Sequence, residues 1–251
     1  MPYIDVNGRR IHYQEAGSAE PEQRTILFVH GAGGSSEKWQ DQLSKLTGRL
    51  IAVDLPGHGK SEGKAQDSVA AYREFVWEFS QALGLSKFVL VGHSMGGGIT
   101  LDFALHHAEV LEGMVVADSG ARLKVNPETL AVLAEGKHSV GNVKYMFALN
   151  TPAQVLEQAA RDMEQVPPPV YLADFQACDR FNILDQVKNI KVPTLILCGQ
   201  DDLMTLPKFS EYLHQEIADS HFVIIPNAGH MAMLEQPEIV NQAIAEFVGA
   251  L

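Results

Sequence analysis

The 251-residue sequence predicts a mostly parallel, doubly wound α/β sheet with an N-terminal hairpin and a helical segment inserted before the last two strands. Three observations predict it. Short apolar runs recur at 25–29, 50–53, 88–91, 114–117, 194–198 and 222–225, the pattern of strands buried on both faces of a parallel sheet. Helical spacing fills most of the gaps between them, and strands that alternate with helices form a sheet covered on both sides. The interval 121–190 has no strand-like run. It divides the chain into a core domain, 1–120 and 191–251, and an inserted helical cap.

The elements follow in order. Segments 3–6 and 9–15 flank Asn7-Gly8, a pair that accepts positive φ at both turn positions of a hairpin. A polar loop at 17–23 leads into the first apolar run. Asp67 or Ser68 caps a helix that carries Tyr72, Phe75, Val76, Phe79 and Leu83 on one face, and Gly84 ends it. Within the insertion, 127–149, 151–165 and 170–184 read as helical, and Pro167-Pro168-Pro169 divides the last two. An insertion of this length at the strand-end face is expected to act as a lid. Its Met146, Phe147, Leu149, Tyr171, Phe175 and Phe181 supply apolar surface, and Phe147, Phe175 and Phe181 are the substrate-binding candidates. Lys124, Lys137, Lys144, Arg161 and Arg180 are expected on solvated helix faces.

Composition narrows the partners. Nineteen Lys and Arg against 31 Asp and Glu give a net charge of −12, which opposes a nucleic-acid backbone or an anionic membrane surface. No apolar stretch reaches the ~18 residues of a membrane span. The start, Met1-Pro2-Tyr3-Ile4-Asp5, lacks the pattern of a secretory signal. Cys178 and Cys198 are not in a CxxC spacing and are expected as buried thiols. A cytoplasmic protein with a small-molecule substrate is the expectation.

The strongest motif is Gly92-His93-Ser94-Met95-Gly96, between the run 88–91 and a helix expected over 97–107. A serine between glycines on a strand-to-helix turn sits on a sharp bend that exposes its hydroxyl. The following N–H groups begin a helix and favour developing negative charge. Such a hydroxyl needs a base, and the base needs an orienting acid. Of ten histidines, His230 stands out, because Pro226-Asn227-Ala228-Gly229-His230 follows the last strand. His93 is expected to point elsewhere on so tight a turn. Gly199-Gln200-Asp201-Asp202 offers two candidate acids past another strand, and Asp118 is a third. His30-Gly31-Ala32-Gly33-Gly34 is a glycine-rich turn, and the N–H of Ala32 pairs naturally with that of Met95 as two oxyanion donors.

These pieces, with Asp54-Leu55-Pro56-Gly57-His58-Gly59-Lys60-Ser61 and Pro207 after Asp202, make the chain resemble the α/β-hydrolase superfamily over its whole length. The resemblance implies the α/β-hydrolase fold, Ser94 as nucleophile, His230 as base, Asp202 as acid, and Ala32 and Met95 as oxyanion donors. It sets aside the haloalkane dehalogenase and epoxide hydrolase branches, which carry aspartate where this chain has Ser94. The lipase-type His-Gly-Gly-Gly loop is only approximated, since Ala32 stands at the second glycine. C–C hydrolases of this fold usually carry Gly-Pro-Gly there, whereas this chain has Gly33-Gly34-Ser35.

Competing motifs fail in detail. Gly31-x-Gly33-x-x-Ser36 lacks the third glycine of a dinucleotide fingerprint. Gly59-Lys60-Ser61 lacks the first glycine of a phosphate loop, and no HExxH or EF-hand pattern is present, so neither cofactor nor metal is expected. The expected activity is serine hydrolysis of an ester, thioester or similar acyl bond in a small to medium, partly hydrophobic substrate, through an acyl-enzyme. A C–C hydrolase, an acyltransferase and a ligand receptor that signals through its lid are the alternatives.

Overall fold

In the computed structural model, which describes residues 2–18 and 23–251, eight strands form one sheet in the order β1-β2-β4-β3-β5-β6-β7-β8. They are β1 (Tyr3–Val6), β2 (Arg9–Gly17), β3 (Thr25–Val29), β4 (Arg49–Val53), β5 (Phe88–His93), β6 (Leu111–Ala117), β7 (Thr194–Gly199) and β8 (Ser220–Ile225). β1 and β2 form an antiparallel hairpin, β2 runs antiparallel to β4, and every other pairing is parallel. The hairpin turns on Asn7 (φ 53°) and Gly8 (φ 77°), both left-handed, as the right-handed twist of the flanking strands requires. The polar loop expected at 17–23 lies in part, at 19–22, outside the described residues.

The helices are α1 (Gln40–Lys45), α2 (Val69–Ala82), α3 (Met95–His106), α4 (Pro127–Ala134), α5 (Ala153–Gln165), α6 (Pro168–Arg180), α7 (Pro207–Glu216), α8 (Ala232–Glu235) and α9 (Pro237–Ala250). Alternation along the strands divides the core in two. Leu27, Val29, Leu90, Val116 and Ile196 point to the face covered by α2, α3 and α7. Ile26, Phe28, Val89, Val91, Val115 and Leu195 point to the other, against Trp39, Ile244 and Phe247. The Ser68 hydroxyl accepts the Ala71 N–H at the start of α2, a cap worth about 1 kcal/mol. α3 buries nearly all of its residues, because it is enclosed between the sheet, α2 and the inserted helices. No helix among the described residues is long and apolar enough to cross a membrane.

Between β6 and β7 the chain is helical, apart from one isolated bridge between Arg122 and Asn182. The helix expected over 127–149 is broken. α4 stops at Ala134, Gly136 takes φ 75°, and a 3-10 turn follows at Val140–Tyr145. Gly136 reverses the chain without side-chain strain, which apolar spacing alone does not reveal. α5 stops at Gln165, and α6 starts on Pro168, whose fixed φ suits a first turn. α6 ends at Arg180, four residues short of the sequence expectation.

Candidate active site

Ser94 sits between β5 and α3 with φ 54° and ψ −117°. A left-handed serine is strained, and its surroundings leave no alternative. A Cβ on Gly92 would lie 2.1 Å from Gly96 O, and one on Gly96 would lie 2.3 Å from Val29 O. The two flanking glycines therefore allow β5, α3 and β3 to close around the bend. The Ser94 N–H donates to Ala117 O, and the Ser119 hydroxyl donates to Ser94 O at 2.7 Å. The backbone is thus held on both sides of the hydroxyl.

His230 follows β8 in the loop that enters α8. Its Nε2 lies 2.9 Å from Ser94 Oγ, and its Nδ1 lies 2.9 Å from Asp202 Oδ2. That geometry gives the ring one tautomer, with Nδ1–H donating to the carboxylate and Nε2 accepting from the serine. The Asp202 carboxylate is itself saturated. Oδ1 accepts the N–H groups of Met204 and Thr205, and Oδ2 accepts the Thr205 hydroxyl at 2.6 Å. Burial raises the Asp202 pKa, but the charge and hydrogen bond of His230, with the Thr205 bonds, leave it below the usual carboxylate value. Burial lowers the His230 pKa, and the Asp202 charge and hydrogen bond outweigh it, so the net shift is upward.

The other candidate acids sit differently. Asp201 is partly exposed, and its N–H donates to Ala228 O. Asp118 is fully buried at the end of β6, with φ 48°, and its Oδ1 accepts the Gly199 N–H at 2.7 Å. Burial and the nearby Asp202 charge push its pKa well above the usual carboxylate value.

Asp118, Cys198 and Asp202 bring three ligand atoms within 4.8 Å of one another. Both Asp202 oxygens are engaged, and burial pushes the Cys198 thiol and the Asp118 carboxyl upward. Burial thus favours the protonated forms of Cys198 and Asp118, whereas a cation needs deprotonated ligands.

Ala32 follows β3 at the cavity wall, and Met95 is the first residue of α3. Being at a helix start, the Met95 N–H has no intrahelical partner. Between Ala32 and the sheet lies His30, whose Nδ1–H donates to Gly31 O at 2.8 Å and whose Nε2 accepts the Leu55 N–H. Burial and the neighbouring His58 lower the His30 pKa to about 4, so the ring is neutral and keeps this tautomer.

Three supporting residues carried no signal in the sequence. His93 does not point away: it lines the cavity and donates from Nε2 to His230 O at 2.7 Å. Burial lowers its pKa to about 3, so the neutral ring holds the loop that carries His230. Thr205 bonds the Asp202 carboxylate and lies 3.2 Å from His230 Nδ1. Glu235 accepts the Gly229 N–H with one oxygen, and the Ala148 N–H and Thr151 hydroxyl with the other. The partners of His93 and Glu235 lie up to 137 positions away, beyond what local spacing reveals.

Ser94 and His230 open on a cavity of about 770 Å³, a size that suits a small or medium ligand. Leu133, Met146, Phe147, Met163, Tyr171 and Phe175 line it from the helical interval. Phe181 is not on this wall. It is buried in the other apolar cluster, where its ring occupies the space a Cβ on Gly98 would enter. Leu149 is 91% exposed and faces solvent.

A relative from Acinetobacter baylyi, an (E)-2-((N-methylformamido)methylene)succinate hydrolase, is 28% identical over 95% of this chain and 94% of its own. The structure of a thermophilic esterase superposes with a TM-score of 0.87 at 32% identity, covering 99% of this chain and 97% of that one. The enol-lactonase of Burkholderia xenovorans shares the fold, with a TM-score of 0.91 at 22% identity over 99% of this chain and all of the other. The alpha/beta hydrolase family model matches residues 26–243. With an eight-stranded, mostly parallel sheet and a serine at its strand-to-helix bend, this chain belongs to the alpha/beta hydrolase family.

Proposed function

We propose that this hydrolase cleaves esters, thioesters or lactones of small to medium, partly apolar acids through a covalent acyl-enzyme on Ser94. The observation that carries the reading is the run of hydrogen bonds from Ser94 Oγ through His230 to Asp202, opening on the cavity. Residues 121–190 act as the cap that closes this cavity.

Ser94 Oγ attacks the acyl carbon while His230 Nε2 takes its proton. Asp202 holds the ring and offsets the imidazolium charge. The N–H groups of Ala32 and Met95 receive the carbonyl oxygen as it becomes an oxyanion. Collapse of the tetrahedral intermediate breaks the bond to the leaving oxygen or sulfur, which takes the proton back from His230. Water, deprotonated by the same nitrogen, then attacks the acyl carbon, and Ser94 leaves with that proton.

The pH dependence follows from the sign of the His230 shift. The base works only when neutral, and Asp202 raises its pKa against the effect of burial. Accordingly, kcat/KM rises with pH through an apparent pKa above the ordinary histidine value of about 6.5. Asp202→Asn moves that limb to lower pH. A flat profile from pH 5 to 8, with chemistry rate-limiting, is incompatible with His230 as base.

The wall charges favour neutral substrates. Glu37, Lys38 and Asp162 line the cavity, and Lys38 Nζ already lies 3.8 Å from Asp162. An added carboxylate therefore meets no spare cation among these three groups. The test is a panel of aryl esters, thioesters and lactones, with Ser94→Ala as control. A neutral aryl butyrate should be turned over with kcat/KM about tenfold or more above the matching aryl hemisuccinate, a gap of about 1.4 kcal/mol. Preference for the hemisuccinate overturns the neutral-substrate assignment.

A further inference from the structure

A carboxylate in the middle of a cap helix is expected on its solvated face. Asp174 of α6 is instead fully buried. An unpaired carboxylate there would be costly, and all three of its partners come from the core domain. Oδ2 accepts the Gly33 N–H at 2.7 Å and lies 2.8 Å from His58 Nε2, and Oδ1 accepts the Tyr72 hydroxyl. His58 Nδ1 faces Pro56 O at 3.1 Å. Both ring nitrogens thus face acceptors, and the ring sits as an imidazolium against the Asp174 carboxylate.

The contact with Gly33 bears on catalysis because Gly33 follows Ala32. A trans peptide is planar, so fixing one of its polar atoms fixes the direction of the other. Gly31 O accepts from His30 Nδ1 and from the Gly34 N–H, which orients the peptide bearing the Ala32 N–H. The next peptide, Ala32–Gly33, is held from its N–H by Asp174. Gly33 has φ 63°, and a Cβ there would lie 2.0 Å from the Tyr171 ring, so α6 rests directly on the turn. Among the described residues, no hydrogen bond from the core domain reaches the Gly33 N–H.

We propose that Asp174 is a positioning residue for the hydrolytic reaction: with the cap docked it fixes the Ala32–Gly33 peptide and so completes the alignment of the Ala32 turn as an oxyanion hole. Cap docking and transition-state binding are thereby coupled. A cap lifted from the core frees the Gly33 N–H and lets the turn relax. This rests on Ser94 and Ala32 having the roles proposed above.

The test compares Asp174→Asn, which keeps the shape and removes the charge, with wild type and with Arg180→Ala. Arg180 joins the same helix to Asp67 at the surface, away from the turn. In Asp174→Asn, kcat should fall about 10–100-fold with KM within threefold, because a misaligned donor is felt mainly in the transition state. The inhibition constant of an aryl boronate, which forms a tetrahedral adduct on serine, should rise by the same factor. That of the carboxylic acid product should stay within threefold. Arg180→Ala should match wild type in all four. Equal weakening of boronate and product, or wild-type kcat in Asp174→Asn, overturns the proposal. Fluorophosphonate labelling of wild type but not Ser94→Ala separately checks the nucleophile.

Discussion

Ser94→Ala should abolish labelling by a fluorophosphonate and lower kcat by about 10⁴–10⁶ while leaving the fold intact. The size of the loss follows from the site. Removing one oxygen atom deletes the nucleophile and strands His230 Nε2, its 2.9 Å partner, so the covalent route is closed rather than slowed. Residual turnover would come from water placed by the remaining groups. Stability should change little, because the left-handed backbone at Ser94 is enforced by Gly92, Gly96 and the Ser119 hydroxyl, not by the Ser94 side chain. Intact labelling in the variant, traced to Ser35, Ser61 or Ser119, would move the nucleophile elsewhere. Mass spectrometry of the labelled peptide decides it.

Asp202→Asn is the second large effect, a loss of about 10⁴ in kcat. An amide at 202 leaves His230 Nδ1–H without its charged acceptor and favours the opposite tautomer, with the proton on the nitrogen that faces Ser94. It also leaves the imidazolium of the transition state uncompensated. Asp118→Asn should cost less than about tenfold, because burial already disfavours a charge there and an amide oxygen still accepts the Gly199 N–H. Asp201→Asn should likewise cost less than about tenfold, since among the described residues Asp201 meets the site through its backbone N–H to Ala228 O. Steady-state kinetics of the three variants, each with a thermal melt, ranks the acids. Near wild-type activity in Asp202→Asn removes it from the orienting role.

The sheet was legible because its strands are buried on both faces and read as plain apolar runs. Errors gathered at their ends. β5 extends through Gly92 and His93, and β7 through Gly199. These are glycines and a histidine that serve the site and break the apolar pattern. Local chemistry made Ser94 and His230 visible, because a serine between glycines and a histidine after a final strand have few other reasons to occur there. Asp202 is separated from Asp201 by a short-range turn, in which its carboxylate takes the N–H groups two and three residues on. Thr205 belongs to that same turn. Sequence could not give His93 a partner, or predict that Asp174 would be buried, because those bonds join segments far apart in the chain. Phe181 illustrates the other limit. Aromatic residues in the helical interval serve either the cavity or the packing under α3, and composition does not separate them.

Glu235 bears on how this hydrolase can diversify. One carboxylate joins Gly229, the neighbour of His230, to the backbone of Ala148 and the side chain of Thr151. A Cβ on Gly229 would lie 2.5 Å from the Phe147 carbonyl carbon, so the two backbones are already in contact. The helical insertion is therefore not an exchangeable module. A transplant from a relative would have to bring a matching partner for Glu235 and a flat backbone over Gly229, or it would disturb the loop of His230 along with the cavity wall. Point changes at Phe175, Met146 or Met163 leave those backbone bonds untouched. A change of specificity in this protein is therefore expected from single side chains on the cavity wall, with the insertion and the loop of His230 kept as one unit.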